Sequence, residues 1–213
     1  MNFKRLPNPS PTRQQEIESI MWEGTFRLKL YEAAELRKLM TMDELHYFML
    51  IHGIYQIPTL ELIDCLKGLI KDVLPSDVIE IGAGTGQIGS NLGVRMTDNR
   101  LQEDPFIAAT YEIMQQHPLK YHPDVEKIDG NSAVMKYKPK VVIASWVTAK
   151  AAGNYWGIDE EPIIEAIDQY IFIGNRATHN AKLFVHLHDG NYFDWLISRG
   201  MNQKDNRIWI ITK

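Results

Sequence analysis

The sequence predicts an α/β fold: a doubly wound, mainly parallel sheet with helices on both faces, preceded by an N-terminal helical extension. Three observations carry this. Short apolar runs at 78–81, 141–147 and 170–175 have the length of buried strands, and stretches with helical spacing separate them. The first run leads into Gly82, Gly84 and Gly86 at alternate positions, a loop that brings backbone rather than side chains close to a ligand. The residues before that run carry apolar positions at helical spacing, and 213 residues suffice for a full core without disulfides.

Composition bounds the function classes. The chain is 45% hydrophobic and 23% charged with a net charge of −4, ordinary for a soluble globular protein. A dedicated nucleic-acid binder would show a basic surplus, which this chain lacks. Cys65 is the one cysteine, so an internal disulfide and a cysteine zinc site are excluded. Its setting, Leu62-Ile-Asp-Cys-Leu66, reads as a helix face and an inert buried thiol. No run approaches the roughly 18 apolar residues of a membrane span, and the N-terminal residues do not form a signal peptide. The expectation is a cytoplasmic protein without a membrane partner.

Taken in order, Pro7-Asn-Pro-Ser-Pro11 predicts an extended arm. Residues 12–22, 27–40 and 43–53 each predict a helix, with Thr41-Met-Asp-Glu44 as a capping box, and 12–53 together predict a helical lid or flank. A helix over 58–70 follows, with Pro58 in its first turn. Beyond the glycine loop come a short helix at 87–92, a strand at 93–98 ending in Asp98, a polar surface segment at 99–105 and a helix at 106–116. A third strand begins at Val125 and ends in Asp129, which also reads as a simple Asp-Gly turn with Gly130. Residues 153–157 form an aromatic loop bounded by glycines and 159–167 a helix. The tail reads as strand, helix and strand at 182–188, 191–199 and 207–213, the last antiparallel and inserted in the sheet. His186 and His188 alternate with Leu187 without a third ligand at metal spacing, so they read as a solvated strand face. Ligands of such sheets bind at the carboxyl ends of strands, which places Ser145, Trp146, Tyr155, Trp156, Asn175 and His179 on the rim of the glycine loop.

The stretch Val78-Ile-Glu-Ile-Gly-Ala-Gly-Thr-Gly86 resembles the first motif of class I S-adenosylmethionine (SAM) dependent methyltransferases: apolar residues, an acid, then Gly-x-Gly-x-Gly. The resemblance extends over residues 55–213 at the level of fold pattern, with residues 1–54 as arm and lid. It implies a Rossmann-like, seven-stranded-type sheet with SAM as cofactor. In the resembled family the cofactor would meet Glu80, Gly82, Gly84 and Gly86, with Asp98 on the ribose hydroxyls and Asp129 on the adenine amino group. Tyr55 and Thr59 fall where the methionine end is touched, and Ser145 at the fourth-strand terminus. Trp146, Tyr155 and Trp156 would stack a planar acceptor, unless they fill the core, and His179 is the rim residue suited to accept a proton near neutral pH. The chain departs from the family in its short 87–92 helix. It also carries Ala144-Ser-Trp-Val147 where amino-methylating DNA enzymes have Asp or Asn followed by Pro-Pro-Tyr.

Methyl transfer from a sulfonium is an in-line displacement in which positioning alone supplies about 7–11 kcal/mol in well-oriented systems, so no metal is expected. The partner is a methyl acceptor: small molecule, protein or nucleic acid. Two other functions compete. One is a SAM-binding regulatory or assembly protein without transfer activity. The other is an NAD-type oxidoreductase, because Gly84-Thr-Gly86-Gln-Ile-Gly89 also fits the dinucleotide fingerprint. Against the latter, Glu80 stands where an apolar residue is usual, and Asp98 follows Gly84 by 14 residues instead of about 20.

Overall fold

A computed structural model describes residues 8–113, 116–150 and 157–213. Three helices open the described chain: α1 (Pro11–Met21), α2 (Ala33–Leu39) and α3 (Met42–Ile51). Ser10 caps α1, with Pro11 at its first position, and Thr41 with Glu44 closes the capping box of α3. The stretch 27–40, expected as one helix, is helical over Ala33–Leu39 alone. Its first half is held out of helical geometry by a side chain from the glycine loop's helix. Leu28 N donates to Gln87 Oε1 at 2.9 Å, and Gln87 Nε2 donates to the Phe26 carbonyl at 2.8 Å. Met21, Leu28, Leu36, Phe48 and Met49 form a core that Ile54, Ile57 and Ile197 complete.

The chain continues through α4 (Leu60–Leu69), β1 (Val78–Ile81), α5 (Gln87–Leu92), β2 (Arg95–Asp98), α6 (Pro105–Ile113), β3 (Val125–Lys127), α7 (Gly130–Tyr137), β4 (Val141–Ser145), α8 (Glu160–Ala166), β5 (Gln169–Asn175), α9 (Leu183–Leu187) and β6 (Asn206–Thr212). The fold is α/β, and the six strands run in the order β3-β2-β1-β4-β5-β6. All neighbours pair in parallel except β5 with β6. Side chains alternate along the strands as the pleat requires. Val78, Val141, Ile143, Ile171 and Ile173 join a core with Leu62, Leu66 and Ile88, while Ile79, Ile81, Val142, Tyr170 and Phe172 join another with Ala133, Val134 and Ile163.

The tail corrects the expectation most. Segment 182–188 is no strand; Leu183–Leu187 form a helical turn that sets the adjacent Phe184 and Val185 into the same core as Trp209. Segment 191–199 has no helix, because Asn191 bridges Ile208 and Ser198 bridges Gln56 while Leu196 and Ile197 enter different cores. The last strand is antiparallel, yet it pairs with β5 at the edge of the described sheet and is not inserted. Six strands stand among the described residues where the seven-stranded type was expected.

Candidate functional site

A cavity of about 510 Å³ opens at the carboxyl ends of β1, β2 and β4. Its floor is the glycine loop. Gly82, Gly84 and Gly86 have φ of 60°, 52° and 70°, the left-handed region that costs other residues about 1–2 kcal/mol. At Gly82 space matters too, since a Cβ would lie 2.4 Å from Val147 Cγ1. The loop is pinned to β2: Ala83 N donates to the Thr97 carbonyl at 2.9 Å and Gly84 N to Asp98 Oδ2 at 3.0 Å. The other oxygen of Asp98, Oδ1, accepts from Arg100 N at 2.7 Å. Each carboxylate oxygen thus keeps a lone pair, so Asp98 can still receive two adjacent hydroxyls. Burial raises its pKa, against the pull of those two backbone donors.

Glu80 lies at the centre of β1, 2% exposed, and its Oε2 accepts from Gly89 N at 2.7 Å. Burial drives its pKa up to about 8, with the charge of Asp98 adding to the shift. Glu80 is among the residues that line the cavity, and its carboxyl is mainly protonated at neutral pH. Asp129 lines the cavity as the N-cap of α7, accepting from Ser132 N at 3.0 Å. Its partial burial pushes the carboxyl up, but bonds from Ser132 and neighbouring backbone N–H groups outweigh that and leave the pKa lowered.

Tyr55, Ser145 and Trp146 line the same cavity. Trp146 is unusual in two ways. Its φ is +58°, and its indole nitrogen is buried with no hydrogen-bond partner among the described residues. Non-glycine residues in such conformations persist where the surroundings hold them there, which happens disproportionately at binding sites. Its ring stands 6.0 Å from that of Tyr55 and 4.9 Å, edge on, from that of His179.

Other expected residues fall elsewhere. Thr59 is 1% exposed and spends its hydroxyl on capping α4, accepting from Leu62 N at 3.2 Å, and it does not line the cavity. His179 does not reach the rim: its ring is held edge on to Trp146 and Phe172, and its Nδ1 accepts from Asn175 N. Burial lowers its pKa to about 4, which leaves the ring neutral and a poor proton acceptor near pH 7. Tyr155 and Trp156 lie outside the described residues. Cys65 is half-buried on α4, and burial raises its thiol pKa.

Sequence reading missed the roof. Asn99, Leu101 and Gln102, expected on the surface, line the cavity together with Tyr111, Leu119 and Tyr121. Gln102 holds this roof in place, accepting from Leu119 N at 2.9 Å while its own N–H donates to the Tyr121 hydroxyl. A second cavity of about 600 Å³ shares Thr85 and Gln87 with the first and is walled by Trp22, Phe26, His52 and Lys120.

No described helix is long and apolar enough to cross a membrane. Among the described residues, no three His, Cys, Asp or Glu side chains are grouped to hold a metal ion. Comparison with protein-family models, curated proteins and solved structures gives no match for the chain.

Proposed function

We propose that this protein is a SAM-dependent methyltransferase of the class I type, acting on an acceptor still to be identified. One observation carries the proposal: the glycine loop and Asp98 are bonded to each other at 3.0 Å and together open onto the cavity where the strand order reverses, between β1 and β4. Open α/β sheets take ligands at that switch point. We also read the sheet as doubly wound, because alternate strand residues join two cores, one with α4 and α5 and one with α7, α8 and α9.

The residues present fit the cofactor. The cavity volume lies in the range of small-molecule sites. Asp98 retains acceptor capacity for a ribose diol, and Asp129 keeps an oxygen for an exocyclic amine. SAM would supply an electrophilic methyl group on a sulfonium; the protein would hold the donor and exclude water with Leu119, Tyr111 and Tyr121. A dinucleotide is the poorer fit, since that domain is built from two parallel βαβαβ halves whereas β6 is antiparallel.

Calorimetric titration should show binding of SAM and S-adenosylhomocysteine but not of NAD; the reverse pattern would overturn the proposal. Isotope-labelled SAM incubated with small-molecule, protein and nucleic-acid pools then identifies the acceptor. Binding without label transfer to any pool would favour a regulatory SAM-binding protein.

Substitutions sharpen the assignment. Asp98→Asn should weaken SAM binding by about 1.5–3 kcal/mol, the worth of hydrogen bonds to a charged group. Gly84→Ala places a Cβ 3.4 Å from Leu119 Cδ1 at a φ of 52°. It should cost about 1–2 kcal/mol of stability and disturb the bond that ties the loop to Asp98. If both variants fold and bind SAM with unchanged affinity, the cofactor does not lie over this loop.

A further inference from the structure

Tyr55 and Trp146 stand at the end of the cavity away from β2, with ring centroids 6.0 Å apart and planes inclined at 37°. Neighbouring strands are about 4.8 Å apart. If the ribose binds Asp98 at the end of β2, a sulfonium one carbon from the ribose ring falls over the end of β1, beside Trp146 at the end of β4. This step rests on the cofactor reading above.

We infer that Tyr55 and Trp146 form an aromatic corner that senses the donor's positive charge, so that the cavity distinguishes a cationic sulfonium from the neutral thioether left after transfer. Aromatic faces attract cations through their quadrupole, most strongly where water is excluded. Among the acids that line the cavity, Glu80 is mostly protonated at neutral pH and supplies little charge of its own. The left-handed backbone of Trp146 is a local cost, understandable if the ring must occupy that place. Arg199 gives the proposal a sign. Its guanidinium carbon lies 4.3 Å from the centre of the Tyr55 ring, is not part of the cavity lining, and bonds Gln116 at 3.0 Å. That cation opposes a second one on the same ring.

The test is a comparison of affinities for SAM, for S-adenosylhomocysteine and for the analogue carrying an ammonium in place of the sulfonium. Tyr55→Leu and Trp146→Leu should each shift the preference roughly 3- to 10-fold away from the two cations and toward S-adenosylhomocysteine. Tyr55→Phe and Trp146→Phe keep an aromatic face and should hold the preference within about twofold. Arg199→Met should increase the preference for the cations. Thermal melts identify any leucine variant that does not fold, in which case the other leucine variant and Arg199→Met decide. Folded variants that bind all three ligands with the wild-type ratio would overturn the inference and leave the cofactor assignment standing. A wild-type protein that binds none of them would remove both.

Discussion

Replacing Glu80 by glutamine is expected to make the protein more stable at pH 8 by on the order of 3–5 kcal/mol, with little change at pH 4. The carboxyl is wholly buried, and its folded pKa is raised from 4.5 to about 8. Between those values the unfolded chain has released a proton that the folded chain retains. The contribution of Glu80 to stability is therefore full below pH 4.5 and falls by ~1.4 kcal/mol per unit as pH rises toward 8. Glutamine cannot ionise, yet it keeps an oxygen to accept from Gly89 N. Urea unfolding at pH 5, 6.5 and 8 checks this through the difference between the two proteins: buried His179 tilts both curves alike, and the advantage of the variant over the wild type should grow steadily with pH. Parallel slopes would mean that Glu80 is already ionised in the folded protein. The same group links stability to ligand binding. A cation entering the cavity favours the carboxylate, so SAM binding at pH 7 should release protons and tighten as pH rises toward 8. Glu80→Gln should abolish both effects.

Glu80 also shows which parts of the site could be read from sequence. A carboxylate interrupting an apolar strand just before three alternating glycines is a local pattern, and its causes are local: left-handed φ at Gly82, Gly84 and Gly86, and an acid facing the N–H of Gly89. Asp98 was legible for the same reason, as the last residue of its strand; Asp129, expected to end the third strand, instead caps α7 two residues beyond β3, and both line the cavity. Thr59 carried a local signal as well, but the signal was that of a helix cap. What failed was non-local. Residues 27–32 have helical spacing, yet their backbone groups are taken elsewhere: Leu28 N by Gln87, Lys29 N by the Met21 carbonyl and the Tyr31 carbonyl by Leu60 N. His186 and His188 alternate as they would on a strand, whereas the side chains that decide the segment are Phe184 and Val185, packed beneath Trp209. The roof residue Tyr111 belongs to α6, a helix with no fully buried residue, so its apolar positions gave no sign that one of its residues lines the cavity.

The same tail holds a buried ion pair that no sequence pattern announced, and its disruption is expected to be the second large effect. Lys182 has no exposed side-chain surface, and its Nζ lies 2.5 Å from Glu160 Oε2 and 4.7 Å from the centre of the Phe172 ring. The other Glu160 oxygen accepts from the fully buried Tyr170 hydroxyl. Burial lowers the pKa of Lys182, against the attraction of Glu160. A pair of this kind adds little net stability, because desolvation offsets the attraction, but removing one member strands the other. Lys182→Met should therefore cost about 3–5 kcal/mol at pH 7. In the double variant with Glu160→Gln the stranded charge is gone, Tyr170 keeps an acceptor, and most of that loss should return. Denaturant unfolding of the two single variants and the double variant gives the coupling directly. A Lys182→Met cost below about 1 kcal/mol, the worth of an exposed pair, would show that water reaches the site. The pair also bears on the cavity. Phe172, under the Lys182 ammonium, packs edge on to His179 at 5.0 Å, and His179 supports Trp146 at 4.9 Å. Loss of Lys182 should therefore weaken the preference for a cationic donor as well as the fold, while the double variant should recover both.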